Sequence, residues 1–179
     1  MSNLQMLREA REKKLGRALI LKDDLNFCEN CVRRFNAVAA FLETVDWGMF
    51  YGTCQANQSL QNSGAPWVKV DSGLDVGTTA FVAFNGRRID ALVQYLETIL
   101  PRPMGDPHGR PMHVDGAYCW FRRSKPEVST WLAVDGSGFQ RSSPTDVNSL
   151  RWYDRASWSA AMVAGLRRLR NRIARQPGC

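Results

Sequence analysis

The stretch "PRPMGDPHGRP", residues 101–111, divides this sequence into two parts that carry different patterns. Proline lacks a backbone N–H and fixes φ, so four prolines and two glycines among eleven residues exclude a regular helix or strand there. The pattern before this stretch is mainly helical, and the pattern after it contains strand-like runs. Helices that come first and strands that come later predict an α+β domain.

Three segments before residue 101 carry the spacing of amphipathic helices. Residues 3–20 place four leucines loosely on one side of a predicted first helix. The apolar positions of residues 31–45 follow steps of four and three, which is one buried helical stripe. The same spacing recurs in residues 86–100, and Pro101 ends that helix. The intervening residues 55–79 predict a loop around a short strand, "WVKV".

Two runs after residue 111 favour strands, "HVDGAYCWFRR" and "STWLAVDG". They are separated by the turn-like "SKPE", so we expect an antiparallel hairpin. Residues 156–175 predict a last helix, in which arginines surround an apolar stripe of Trp158, Met162, Leu166, Leu169 and Ile173. The predicted architecture is therefore an N-terminal helical part, a small antiparallel β-sheet and a basic C-terminal helix.

Length and composition favour one folded unit in a reducing compartment. A chain of 179 residues can bury a core without disulfides. The first 21 residues are too charged for a secretory signal, and no apolar stretch has the length of a membrane span. We therefore expect a cytoplasmic protein that does not enter membranes and whose five cysteines are reduced.

The net charge of +7 is concentrated near the C-terminus. Six arginines lie between Arg155 and Arg175, and no acidic residue follows Asp154. Such a segment suits nucleic acid or an acidic protein surface, and a solvated helix face is an equally good interpretation. The candidate binding residues are Arg167, Arg168, Arg170 and Arg172.

Cys28 and Cys31 have the spacing of a zinc-ligand pair, but a structural zinc site needs four ligands and usually a second close pair. The available completions are His108 with His113, or the isolated Cys54 and Cys119. A single Cys-x-x-Cys motif that is followed directly by a helix is weak evidence for a zinc site. We predict no metal and no cofactor.

A nucleophilic thiol explains the pair better. The N-terminus of a helix favours a thiolate, and Cys31, or less well Cys28, has that position. Such a thiol needs a histidine as base and a group that orients the imidazole. His113 and Asp135 would meet at the mouth of the predicted hairpin, and Asn26 lies upstream as an oxyanion donor. The alternative is that these cysteines only pack in the core and that Asp135 serves a turn.

The order of these residues resembles the papain-like proteases, and more narrowly the leader proteases of aphthovirus-type picornaviruses. The stretches that carry the resemblance are "LQMLREAREKKLGRALIL", "NFCENCVRRFNAV", "HVDGAYCWF" and "WLAVDGSGF" with the following "SPTDV" and "WYD". The resemblance implies that Cys31 is the nucleophile, His113 the general base and Asp135 its orienting carboxylate. It implies that Asn26 completes an oxyanion hole. Val32 stands where the family has Trp, so Cys28 remains an alternative nucleophile.

The resemblance also implies a domain organisation and substrates. Residues 1–153 would form the papain-like domain, and residues 154–179 a basic helical extension. The protein would cleave itself from a viral polyprotein without a cofactor, and it would act on host translation factors. The alternative from another class is a non-catalytic virion or ribonucleoprotein component that binds through the arginine-rich helix.

Overall fold

The computed structural model describes residues 2–53 and 64–140, which form a mixed α+β fold. Four helices lie within these ranges: α1 (Asn3–Glu12), α2 (Cys31–Thr44), α3 (Gly86–Ile99) and α4 (Val114–Ser124). The same ranges contain seven strands: β1 (Arg17–Leu21), β2 (Leu25–Phe27), β3 (Met49–Tyr51), β4 (Trp67–Val70), β5 (Phe81–Asn85), β6 (Thr130–Ala133) and β7 (Gly138–Gln140). None of these helices combines the length and apolar character needed to cross a bilayer.

Five of the strands form one sheet in the order β1-β5-β3-β6-β4. All neighbours are antiparallel except β3 and β6, which run parallel. The strands β2 and β7 pair separately as a short antiparallel ribbon. The sheet is therefore small and mostly antiparallel, and β1 and β4 are its edge strands.

The first face of the sheet is covered by α1, α3 and α4. Side chains alternate across a strand, so Met49 and Tyr51 of β3 point to this face while Phe50 points to the other. The core on the first face joins residues from the sheet with the apolar stripes of all three helices, including Leu7, Phe84, Ile89, Leu92, Val93, Tyr118 and Phe121. It is the larger of the two cores.

The second face is covered by α2 alone. Val38 and Leu42 of this helix pack on Phe50 and Ala133 of the sheet. Phe41 stacks on Trp67, with the ring centroids 4.4 Å apart, and meets Trp131 edge-on at 4.9 Å. One helix of 14 residues cannot cover five strands, so the described residues leave part of this face uncovered.

The connection from β5 to α3 shows how local sequence fixes an element. The side chain of Asn85 accepts a hydrogen bond from the N–H of Arg87 and so caps α3. Gly86 follows, and its N–H donates to the carbonyl of Gly16 at 2.8 Å. A Cβ at position 86 would collide with the backbone carbonyl of Leu15, so only glycine allows this approach.

Several predictions of local structure are confirmed. The stripe that begins at Cys31 forms α2, the spacing in residues 86–100 forms α3, and "WVKV" forms β4. The mixed α+β class is also confirmed. The prediction that helices precede strands is wrong, because the predicted first helix ends at Glu12 and its remainder forms β1, an edge strand paired with β5.

The predicted hairpin is also wrong. The run that begins at His113 forms α4, although "STWLAVDG" contains β6 as expected. Ala117, Tyr118 and Phe121 recur at helical spacing, and burying that stripe against the first face outweighs the strand preference of the aromatic residues. The predicted helix 156–175, its arginines and the predicted domain boundary after residue 153 lie outside the described residues.

Candidate functional site

Most of the predicted catalytic residues lie near one end of the five-stranded sheet, where strands begin or end, and not along its edge strands. At this end β1, β3 and β6 end, while β4 and β5 begin. Backbone hydrogen bonds continue beyond the strands: the N–H of Lys22 donates to Ala80 O at 3.0 Å, and the N–H of Gly52 donates to Phe81 O at 3.0 Å. We call this end of the sheet, which includes Lys22, Gly52, Ala80 and Ser137, the thiol edge.

The ribbon of β2 and β7 carries both cysteines to the thiol edge. The N–H of Ser137 donates to Gly52 O at 2.8 Å, and Ser137 O accepts from the N–H of Cys28 at 3.1 Å. The chain then turns, with the N–H of Cys31 donating to Cys28 O at 3.1 Å, and α2 begins. Cys28 and Cys31 are free thiols and are only partly buried, so reagents can reach them.

The turn that carries Asp135 lies against the same cysteines. Asp135 follows β6 by two residues, and the next residue, Gly136, contacts both the cysteine turn and α2. The Cys28 thiol lies 3.9 Å from Gly136 O, and the guanidinium of Arg34 donates to that carbonyl at 2.5 Å. The structure therefore brings Cys28, Cys31 and the Asp135 turn together, without the hairpin that the sequence predicted.

The helix α4 begins near the thiol edge, on the opposite face of the sheet from α2. His113 is its N-cap residue, rather than the first residue of a strand. Two residues later, Asp115 accepts a hydrogen bond from the hydroxyl of Thr79, and its Oδ1 lies 3.7 Å from Lys22 Nζ. The heads of α2 and α4 thus approach one sheet edge from two sides. No hydrogen bond or ion pair within the described ranges joins His113 to the thiols or to Asp135.

Asn26 lies in β2, directly opposite Phe139 of β7. Asn26 is partly buried and precedes Cys31 by five residues in the sequence. Gly138 packs against its carbonyl so closely that a Cβ at position 138 would collide with Asn26 O. The ribbon therefore has a backbone position that requires glycine beside the proposed oxyanion donor.

The head of α2 keeps hydrogen-bond donors available. Its N-cap residue, Asn30, makes no side-chain capping bond, whereas Asn85 caps α3. The N–H groups of Cys31 and Arg34 donate to Cys28 O and Asn30 O. Within the described part of the chain, no hydrogen bond engages the N–H groups of Val32 and Arg33. The helix dipole and these donors favour an anion at this position, whether a thiolate or an oxyanion.

Four small polar residues at the thiol edge are buried, although no local sequence pattern predicts their burial. They are Thr53, Thr78, Thr79 and Ser137. The hydroxyl of Thr53 has no hydrogen-bond partner within the described ranges. The sequence does not predict the contact between Lys22 and Asp115, because 92 residues lie between them and only the folded sheet brings them together. The "GSG" after Asp135 was the one local sign of a turn.

The remaining cysteine of the described chain has a different environment. Cys119 is buried in α4, where its sulfur lies 3.4 Å from Val76 N and 3.6 Å from Val76 O. Burial raises the pKa of the Cys119 thiol, so it is a poor nucleophile. His108 lies in the 101–111 connection, where its N–H donates to Asp106 Oδ1. Within the described ranges, no three His, Cys, Asp or Glu side chains are grouped as metal ligands.

The sequence was also compared with known proteins. No family model matches it, and no curated protein resembles it closely enough to count as a match.

Proposed function

We propose that this protein is a thiol hydrolase that acts by acyl transfer on polypeptides, with Cys31 as its nucleophile. The observation that carries the proposal is the position of Cys31 as the partly exposed first residue of a helix without a side-chain cap. The turn before this helix contains Cys28, whose thiol lies 3.9 Å from Gly136 O in the turn of Asp135. A helix N-terminus stabilises a thiolate, and its donors suit the oxyanion that forms during attack on a carbonyl.

The reaction would proceed in two steps. The Cys31 thiolate attacks the scissile carbonyl carbon, the S–C bond forms, and the leaving amine departs with a proton supplied by His113. Water then gives a proton to His113 and attacks the thioester, so that the C–S bond breaks and the thiolate returns. Asn26 and the N–H groups at the head of α2 would bind the oxyanion in both steps. Asp135 would orient the imidazole.

The resemblance to viral leader proteases supplies the substrate class in this proposal. It implies self-release from a polyprotein and cleavage of host translation factors in the cytoplasm of the host cell. One feature departs from that family: His113 heads a helix on the opposite face of the sheet from α2, so catalysis would require its imidazole to reach Cys31 around the thiol edge. The roles of Cys31 and His113 are therefore tested separately from the substrate.

The first test uses p-nitrophenyl acetate, which transfers an acetyl group to a thiolate and releases coloured p-nitrophenolate. We expect the full chain to release p-nitrophenolate at least tenfold faster than N-acetylcysteine at pH 7 and to turn over repeatedly. Cys31→Ala and His113→Ala should each lose this excess. Cys119→Ala is the matched control and should keep it, because that thiol is buried.

Other results of this assay would distinguish between the alternative nucleophiles and between an esterase and a protease. Loss of the excess in Cys28→Ala, but not in Cys31→Ala, would move the nucleophile to Cys28. A rate no faster than that of N-acetylcysteine would contradict the acyl-transfer proposal. Turnover of the ester without cleavage of any peptide would retain the thiol chemistry and contradict the protease assignment.

One observation favours a second candidate function, binding of nucleic acid or an acidic protein. Eight of the 24 basic residues but only two of the 17 acidic residues lie after residue 140, so nearly all of the net charge is there. If Arg167, Arg168, Arg170 and Arg172 contact phosphates, affinity for a single-stranded RNA should fall steeply between 50 and 200 mM salt. Replacement of all four by Gln should remove most of that salt dependence.

A further inference from the structure

The second face of the sheet exposes a group of large apolar side chains. Leu19 and Leu21 of β1 are 40% and 42% exposed, and Phe27 at the end of β2 is 49% exposed. Val32 and Phe35, one turn apart on α2, are 70% and 45% exposed. Scattered apolar residues are ordinary on a protein surface, but a contiguous group of this size marks a binding surface.

Three of these residues, Leu19, Leu21 and Phe35, line one groove. Leu21 pairs with Phe81 of β5 and Leu19 pairs with Ala83, so both leucines lie on the face that α2 covers. The ring of Phe35 lies 6.5 Å from that of Phe81, next to Leu21. At the other end, Arg17 of β1 forms an ion pair with Glu43 of α2 at 2.5 Å. The helix therefore runs beside β1 in the opposite direction, and we call the space between them the α2–β1 groove.

We propose that the α2–β1 groove binds residues 156–175 of the same chain. The path of the described chain supports this occupant. The strand β7 runs along β2, and its last residue, Gln140, lies opposite Leu25. Leu25 is only four residues beyond Leu21, so the chain leaves the described ranges next to the groove.

The sequence of residues 156–175 has an apolar pattern that suits the groove. Its apolar stripe needs a partner, and the stripe consists of Trp158, Met162, Leu166, Leu169 and Ile173. A helix of 20 residues is about 30 Å long, so it would extend beyond α2, whose 14 residues span about 21 Å. The 15 residues from 141 to 155 can span at most roughly 50 Å, which is enough to reach the groove and short enough to favour binding within one chain.

The charges of the segment are compatible with the same occupant. The segment carries Arg167, Arg168, Arg170 and Arg172 beside its apolar stripe. Binding through the stripe would leave these arginines at the rim, facing solvent. The inference does not depend on the thiol chemistry.

Photo-crosslinking of the full-length chain tests this docking. With p-benzoylphenylalanine in place of Phe35, irradiation should join position 35 to residues 156–175 in a product of monomeric mass. Leu166→Asp, on the stripe, should reduce the yield at least tenfold. The matched change Val163→Asp, off the stripe, should leave it within twofold. The same photoreactive residue in place of Leu100, which is exposed far along the sequence from the groove, should give no such product.

Hydrogen exchange of the unlabelled chain provides an independent measurement. Leu166→Asp should speed exchange in β1 and at the head of α2 at least tenfold, whereas Val163→Asp should not. A crosslinked product of dimeric mass would show that a second copy fills the groove and would contradict the proposal. Absence of any crosslink to residues 156–175, together with unchanged exchange in Leu166→Asp, would also overturn it.

Discussion

The two faces of the sheet differ in how completely they are covered. On the first face, three helices bury Leu7, Tyr51, Phe84, Tyr118 and Phe121 to 1% exposure or less. On the second face, one helix leaves Leu19, Leu21 and Phe35 at least 40% exposed. Stability therefore rests mainly on the first face, while the accessible thiols, the uncapped head of α2 and the α2–β1 groove belong to the second.

The largest expected change in the free energy of unfolding comes from Arg122, on the covered face. Arg122 is fully buried, and its guanidinium donates to Asp71 O, Leu74 O and Thr130 Oγ1. In Arg122→Met, two carbonyls and a hydroxyl lose their donors, so the free energy of unfolding should fall by roughly 3 kcal/mol or more. The measurement is urea unfolding followed by circular dichroism.

Arg123→Met is the matched control for that substitution. Arg123 is exposed and pairs with Asp75 at 2.8 Å on the surface. Exposed ion pairs contribute little, so its loss should change the free energy of unfolding by less than about 0.5 kcal/mol. Equal effects of the two substitutions would contradict the assignment of stability to the buried side.

The second largest effect is a pH dependence of the free energy of unfolding, caused by two tyrosines of the covered face. Burial raises the pKa of Tyr51 and of Tyr118 well above the ordinary value for tyrosine. Both remain protonated in the folded protein above pH 10, whereas the unfolded chain releases these protons. The free energy of unfolding should therefore fall as pH rises above 10, by about 1.4 kcal/mol per pH unit for each tyrosine.

Tyr51→Phe and Tyr118→Phe isolate these contributions from other alkaline titrations. Each variant should lose about half of the slope that the two tyrosines contribute, measured as the difference from the unsubstituted chain between pH 10 and 11. Both hydroxyls lack a hydrogen-bond partner within the described ranges, so either variant should be no less stable at pH 7. An unchanged slope in both variants would mean that these hydroxyls reach solvent.

The smallest effect compares two asparagines that precede helices. Asn85 caps α3 through its side chain, and Asn30 precedes α2 without such a bond. Asn85→Ala should therefore cost about 1 kcal/mol of unfolding free energy, whereas Asn30→Ala should cost a few tenths at most. Thermal unfolding of both variants gives the comparison. An equal loss in Asn30→Ala would show that its side chain caps α2 and that the donors there are engaged.

Sequence patterns predicted the two helices whose apolar spacing is regular. In α3 that spacing selects side chains that are all buried, and in α2 it selects the buried Val38 and Leu42. The strand β4 was predicted from its short apolar run, and it buries side chains on both faces of the sheet. Pairing partners were not predictable, since they depend on distant segments. The strand β1 continues a leucine pattern that suits a helix, and only pairing with β5 makes it a strand.

The candidate site was predictable in part for the same reason. The position of Cys31 at a helix head follows from local spacing. The approach of Cys28 to the Asp135 turn depends on the pairing of β2 with β7. These strands are too short to show an alternation of apolar and polar residues, so the sequence does not predict their pairing. The aromatic residues after His113 predict a strand, whereas their helical spacing lets α4 bury them against the first face of the sheet.

The most direct test of the central claim, that the head of α2 activates a thiol, is alkylation of the full chain with iodoacetamide at pH 6, followed by peptide mapping. Ordinary thiols are almost wholly protonated at that pH and react slowly. We predict that Cys31 is labelled at least tenfold faster than Cys28 and Cys119, and that His113→Ala removes the difference. Uniformly slow labelling of all the cysteines would contradict the claim and return Cys31 to a structural role.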